Sequence, residues 1–333
     1  MNKRDFRIDI VRAICAIEII AFWHLMDYLP NYYSLSGMPL HTAKLLTDSS
    51  MATFAFISGF CLSKYDVNTK NDAMYFYKRR LKRFYPLLFL SCLSLYAAGF
   101  IFHQHWFVST KQFITTILGL NIFFPPRTPT LYYFSMMMFF YSLTPFILSM
   151  KRNKVKQIFV PIAIILAVML VQISVEIDCC FFLYFPFYVM GLLLPKKIIS
   201  DIYRYRYPCV VCSFFLFFFF TWLTYGMADF YLGGGRFLAM LSGLVFLFSL
   251  SPAINKSEMA TKALYYVSYS SMTAYLFHRQ IYLSLALLLG DSNKELNLFT
   301  AACFAVPCVF VISYMLQKTY DKLISVYESY QKR

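Results

Sequence analysis

Eleven apolar segments run the length of the chain, near residues 8–29, 49–64, 84–103, 112–125, 131–150, 157–175, 180–195, 208–225, 236–254, 264–289 and 297–317. Most are long enough to cross a hydrocarbon layer about 30 Å thick. No water serves the backbone there, so each segment must satisfy its own N–H and C=O groups, which a helix does. Only 14% of the residues are charged, against about 25% in soluble domains. The expected fold is all-α: a polytopic transmembrane helical bundle, one membrane-embedded domain over residues 1–333 with no appended soluble domain. The first segment is interrupted by charge and no small-residue cleavage site follows it, so it does not read as a cleavable signal peptide.

Basic residues set the topology. The net charge of +15 is carried by short Lys/Arg blocks between apolar segments, a pattern of membrane orientation and not of nucleic-acid binding. The segment near 112–125 is short and breaks at Pro125-Pro126. If it crosses, Lys151, Arg152, Lys154 and Lys156 fall opposite the basic N-terminus. If it does not, ten spans remain, both termini are cytoplasmic, and 25 of the 31 Lys and Arg residues lie inside. The second arrangement is expected, with 112–125 as a re-entrant or surface helix on the outer face. Gly233-Gly234-Gly235 then falls in an outer loop as a flexible hinge, and Tyr28, Tyr32 and Tyr33 suit an interfacial belt. Phe214–Phe220 reads as lipid-facing or interhelical packing. The nine cysteines mostly lie in apolar segments, where they behave as small hydrophobes. Cys209-x-x-Cys212 has no second pair, a vicinal Cys179-Cys180 disulfide is not expected, and no metal site is expected either.

Ionisable groups inside such segments are costly, about 2.5–3.5 kcal/mol each on insertion scales, and mark function. The first segment holds Arg12, Glu18 and His24, and the tenth span holds His278. Both histidines lie roughly 24 Å along their helices from the inner side at 1.5 Å per residue, so they could share one cavity. Histidine can take and return a proton near neutral pH, the service a hydroxyl nucleophile needs. The bland alternative is two unrelated histidines bonded to backbone or hydroxyl groups. Asp27 either orients the His24 ring or is a solvated carboxylate at the helix end. Glu18 is displaced by about 240° from His24 around the helix and is not expected to pair with it.

A second constellation is Lys78-Arg79-Arg80-Leu81-Lys82-Arg83-Phe84-Tyr85-Pro86 at the inner end of the third segment. Arg80 and Arg83 share a face if the helix starts early. Guanidinium groups bind phosphates through paired hydrogen bonds, as a coenzyme A donor requires. Such clusters also serve as topology signals or anionic-lipid anchors.

At these residues the chain resembles the acyltransferase-3 family of bacterial integral membrane acyltransferases, over nearly its whole length. Asp9-x-x-Arg12 with His24 is similar to the family's first-span motif. Phe54-Ala55-Phe56-Ile57-Ser58-Gly59-Phe60 is similar to its aromatic Ser-Gly-Phe span, and Arg80-x-x-Arg83 with Tyr85-Pro86 to its arginine motif. Leu131-Tyr132-Tyr133-Phe134 through Tyr141 and Pro145 resembles its Leu-Trp-Phe-Leu segment, with a tyrosine for the tryptophan. Ser271-x-x-x-Tyr275-Leu276-x-His278 matches its late signature. Eleven residues separate Arg12 from His24 where the family has ten, which turns the two about 120° apart on a regular helix. Either a π-bulge absorbs the extra residue or Arg12 faces another wall. Ala13 replaces the usual glycine.

The resemblance implies a multi-pass protein of the bacterial cytoplasmic (inner) membrane, surrounded by lipid, that moves an acyl group, often acetyl, to a glycan. The donor is acyl-CoA, typically acetyl-CoA. The acceptor is a hydroxyl of a surface polysaccharide or lipid-linked glycan precursor, and no nucleic acid is involved. Arg80, Arg83 and Arg79 are expected at the donor's phosphates and His24 as general base. Arg12, His278, Tyr275 and Ser271 would orient groups or stabilise developing charge. The rival reading is a transporter or flippase for a lipid-linked glycan, without acyl chemistry.

Overall fold

The computed structural model describes residues 5–29, 39–102, 109–151, 153–225, 229–255, 257–289 and 296–331, and no strand occurs among them. Tyr32 and Tyr33 of the expected belt lie outside the described residues. The helices are α1 (Phe6–Ile17), α2 (Leu40–Leu62), α3 (Lys70–Phe102), α4 (Thr110–Ile117), α5 (Leu131–Ser149) and α6 (Lys154–Gln172). They continue with α7 (Cys180–Leu193), α8 (Lys196–Arg204), α9 (Arg206–Leu223), α10 (Asp229–Ile254) and α11 (Glu258–Leu289). The last helix opens at Leu298–Thr300, widens to a π-turn over Ala301–Ala305 and runs on as α12 (Val306–Gln331).

Seven of these helices are long and apolar enough to cross a membrane, and up to eight if the bent pair α7 and α8 counts as one span. The bend of 95° falls at Pro195, which cannot continue the hydrogen-bond ladder of α7. The two histidine-bearing segments are not among the seven. The first is divided by its own backbone, and α11 carries a row of hydroxyl and aromatic polar groups.

The chain packs as two compact units, residues 1–53 with 196–333 and residues 54–195. In the first, α1 lies against α10 and α11, α9 against α10, and α11 against α12. Phe217 of α9 packs on Leu45 and Ala239, while Phe214, Phe215, Phe218 and Phe219 point outward. The phenylalanine run therefore serves both packing and lipid. Buried Asp48 of α2 holds the partly buried Arg236 of α10 at 2.6 Å. Gly233-Gly234-Gly235 does not form the expected loop hinge: all three lie within α10. An apolar run follows them, and a helix keeps their backbone groups bonded where a loop would not.

In the second unit α3 packs on α4 and α5, and α7 on α5 and α6. The expected re-entrant segment near 112–125 is the eight-residue α4 followed by turns. Gln112, Thr116 and Asn121 converge on the Thr128 hydroxyl, at 3.2, 2.9 and 2.9 Å, and Asn121 also accepts from the Thr128 backbone N–H at 3.1 Å. This network replaces the helical ladder where the chain breaks. Gly119 ends the short helix with φ +71°, a conformation that favours glycine.

The Ser-Gly-Phe motif has a packing role. A Cβ on Gly59 would meet the Tyr188 carbonyl oxygen, and one on Gly191 would meet that of Phe56. The two glycines let the end of α2 and α7 cross backbone to backbone, as small residues do between membrane helices. Gly59→Ala or Gly191→Ala should cost about 1–3 kcal/mol, since a carbonyl cannot rotate aside. Gly234→Ala, with nothing near its Cβ position, should be neutral or slightly stabilising. Thermal unfolding of the detergent-purified protein tests this; equal melting temperatures for all three would contradict the close crossing.

Candidate functional site

The first helix loses its α-period where the extra residue lies. After α1 the backbone widens to a π-helix over Glu18–Trp23 and then tightens to a 3₁₀ turn over His24–Tyr28. A π-turn bonds i to i+5 and so takes up one additional residue. It lies between Arg12 and His24, where the eleven-residue spacing needs it. Tyr282 of α11 donates its hydroxyl to the Ile20 carbonyl at 3.1 Å, inside the widened segment.

Ser268, Ser271, Tyr275, His278 and Tyr282 recur at three- and four-residue steps, which puts them on one face of α11. The His24 and His278 rings stack nearly parallel, 8° apart, with centroids at 4.6 Å. Tyr275 lies 6.1 Å from the first ring and 6.0 Å from the second. The two histidines, expected at similar depth along their helices, are in ring contact. His278 Nδ1 donates to the Tyr275 and Ala274 carbonyls at 2.9 and 3.1 Å. Both rings are buried, and His24 Nδ1 and His278 Nε2 have no hydrogen-bond partner. Asp27 is paired with Arg279 at 3.0 Å, and Tyr28 donates to the Arg279 carbonyl at 3.4 Å. Glu18 accepts from Thr47 of α2 at 2.8 Å.

Arg12 belongs to a second layer, separated from His24 by the end of α1 and the whole π-turn. It lies 3.9 Å from Asp9, which accepts the Ser268 hydroxyl at 3.1 Å. Ser271 donates to the Ser268 carbonyl at 2.8 Å. Ser268 and Tyr282 were not singled out by sequence. Their spacing from Ser271 and His278 on the same helical face was the available signal.

The arginine cluster lies in the other unit, wholly within α3. Arg79 and Arg83 are exposed, whereas Arg80 is partly buried among rings. Its guanidinium carbon is 5.6 Å from the Phe76 ring, 5.7 Å from Tyr65, 5.8 Å from Tyr141 and 6.0 Å from Phe84. Tyr141 and Phe84 stack on each other at 5.3 Å, which joins the arginine motif to the fourth one. The Arg80 Nε is buried without a partner. Tyr188 is bonded to Thr144 beside this cluster. Among the described residues one group could ligate a metal: Asp178, Cys179 and Cys180, with ligand atoms within 4.8 Å. Asp178 is already engaged by Arg127 at 3.1 Å and by the Cys180 N–H at 2.8 Å.

A family model for an acyltransferase domain, that of the acyltransferase-3 family, matches residues 5–318. No curated protein and no solved structure matches the chain significantly. The Tyr282 contact gives a direct test of the widened segment. Tyr282→Phe should destabilise the protein by about 0.5–1.5 kcal/mol, because the Ile20 carbonyl loses its donor away from water. Thermal unfolding measures the loss, and an unchanged melting temperature would show that this bond does not hold the segment.

Proposed function

The chain belongs to the acyltransferase-3 family, and we propose that it is an O-acetyltransferase of the bacterial cytoplasmic membrane. In this reading it takes acetyl from acetyl coenzyme A on the cytoplasmic side. It delivers the group to a hydroxyl of a surface polysaccharide or lipid-linked glycan precursor. The observation that carries the reading is the stacked His24–His278 layer, inside a match that covers almost the whole chain. The family favours it over a flippase without acyl chemistry.

The proposed topology keeps ten spans and cytoplasmic termini. The seven long apolar helices, the bent α7–α8 pair, the broken first segment and α11 make up that number. The short α4 stays outside it.

Arg80, Arg83 and Arg79 hold the donor's phosphates. Arg80 is the organising member of the three, because rings on several sides fix its plane while its N–H groups stay available for paired bonds. His24 takes the proton from the acceptor hydroxyl as that oxygen attacks the thioester carbonyl. The C–S bond then breaks, and the coenzyme A thiolate recovers the proton from His24. Tyr275 flanks both rings and can donate to the tetrahedral oxygen. Arg12, with Asp9 and Ser268, fixes how α1 meets α11 one layer away, and Ser271 buttresses that layer.

With labelled acetyl coenzyme A and membranes that carry the glycan, His24→Ala should lower ester formation by at least about 100-fold. Wild-type rates in that variant would remove its central residue. Arg80→Ala should raise the donor KM at least about tenfold, the cost of one or two charge-assisted bonds. An unchanged KM would return the cluster to a topology role.

A further inference from the structure

His278 has no exposed surface. Its Nδ1 meets two carbonyl oxygens, and a carbonyl can only accept, so Nδ1 carries the hydrogen. In the neutral ring Nε2 then holds a lone pair and cannot donate. It therefore cannot stabilise an oxyanion. This nitrogen is buried and unpartnered, and so is His24 Nδ1 on the parallel ring 4.6 Å away. Buried polar atoms are paired in the great majority of cases. Two unpaired nitrogens in one layer mark a place where a ligand's polar groups belong.

A hydroxyl carries one proton, and the reacting hydroxyl gives its proton to His24. The His278 lone pair must be served by a different O–H group. Resting on the acetyl-transfer reading above, we propose that His278 Nε2 accepts a hydrogen bond from a second hydroxyl of the acceptor, adjacent to the one that reacts. The stacked rings then read a pair of neighbouring hydroxyls, which a sugar ring offers and a simple alcohol does not. Each of the two hydroxyls must come within about 2.6–3.2 Å of its nitrogen, and hydroxyls on adjacent carbons are the smallest pair that could do so. His278 is thus a substrate-binding residue that sets acceptor specificity. Water, which has two hydrogens, is the competitor for the same pair of nitrogens.

The test uses the full chain in membranes from the cells that carry it, with labelled acetyl coenzyme A as the probe. The products are ester in the glycan fraction and free acetate. His278→Asn keeps an amide N–H near the two carbonyls but removes the acceptor at Nε2. His278→Gln returns an oxygen near that position. The expected result is a shift of about two- to tenfold from ester toward acetate in the Asn variant, the value of one hydrogen bond to the acceptor, with partial recovery in the Gln variant. Nitrogen NMR of labelled histidine should show a pyridine-type Nε2 at position 278. A wild-type ester-to-acetate ratio in His278→Asn, or equal loss of both products in both variants, would overturn the proposal. So would a hydrogen on Nε2. If the wild-type protein moves no acetyl at all, the function proposed above fails. If it does, and the ratio stays put, only the role of His278 fails.

Discussion

A widened helical turn that is buried leaves carbonyl groups in need of another donor, and the Glu18–Trp23 segment contains one that Tyr282 of α11 reaches. That bond does more than satisfy a backbone group. It ties the π-turn to the face of α11 that also carries Tyr275 and His278, so the residue following the π-turn, His24, lands on the His278 ring. A regular helix over the same eleven residues would turn His24 about 120° from the face set by Arg12. The local break in period and the interhelical stack are therefore one structural decision.

Polar groups inside this protein differ in how fully they are paired. Some networks are closed. Thr273 donates to Gln317 at 2.5 Å, Gln317 to Asp321 at 2.9 Å, and Tyr269 bonds the same carboxylate, which joins α11 to the last helix. The Gln112–Thr116–Asn121–Thr128 group closes the turns after α4 in the same way. These networks read as structure, because each donor is spent on the chain itself. The histidine layer and Arg80 are different. Each has a rigid setting of rings and each keeps a buried nitrogen without a partner. A site that is held in place but not satisfied is what a substrate would complete.

How much of this could be read in advance depended on distance along the chain. The helices follow from apolar length alone, and the shared depth of His24 and His278 followed from counting rise. The eleven-residue spacing pointed to the π-turn but could not choose it, since the choice rests on Tyr282, more than 250 residues away. The aromatic setting that separates Arg80 from Arg79 and Arg83 comes from Tyr65 and Tyr141, neither of which neighbours it in sequence. Gly233-Gly234-Gly235 was misread as a hinge, because triple glycine is a loop signal in water but not beside an apolar run that needs a closed ladder. Gly59 was read only as a motif letter. Its partner Gly191 gives the letter a physical meaning.

The same reasoning explains why the two segments that carry the histidines are not among the seven long apolar helices. A helix that presents Ser268, Ser271, Tyr275 and His278 on one face cannot also be uniformly apolar. That polar face is covered by its neighbours. α1 is one such neighbour: Asp9 receives Ser268, and the backbone that follows α1 receives Tyr282. The most exposed helices show the converse. Only 11% of the apolar window of α6 and 17% of that of α9 is buried, and these helices carry no group of the histidine layer. Polar and lipid-compatible surfaces are carried by different helices, and the contacts that cover the polar face of α11 are also the ones that form the histidine layer.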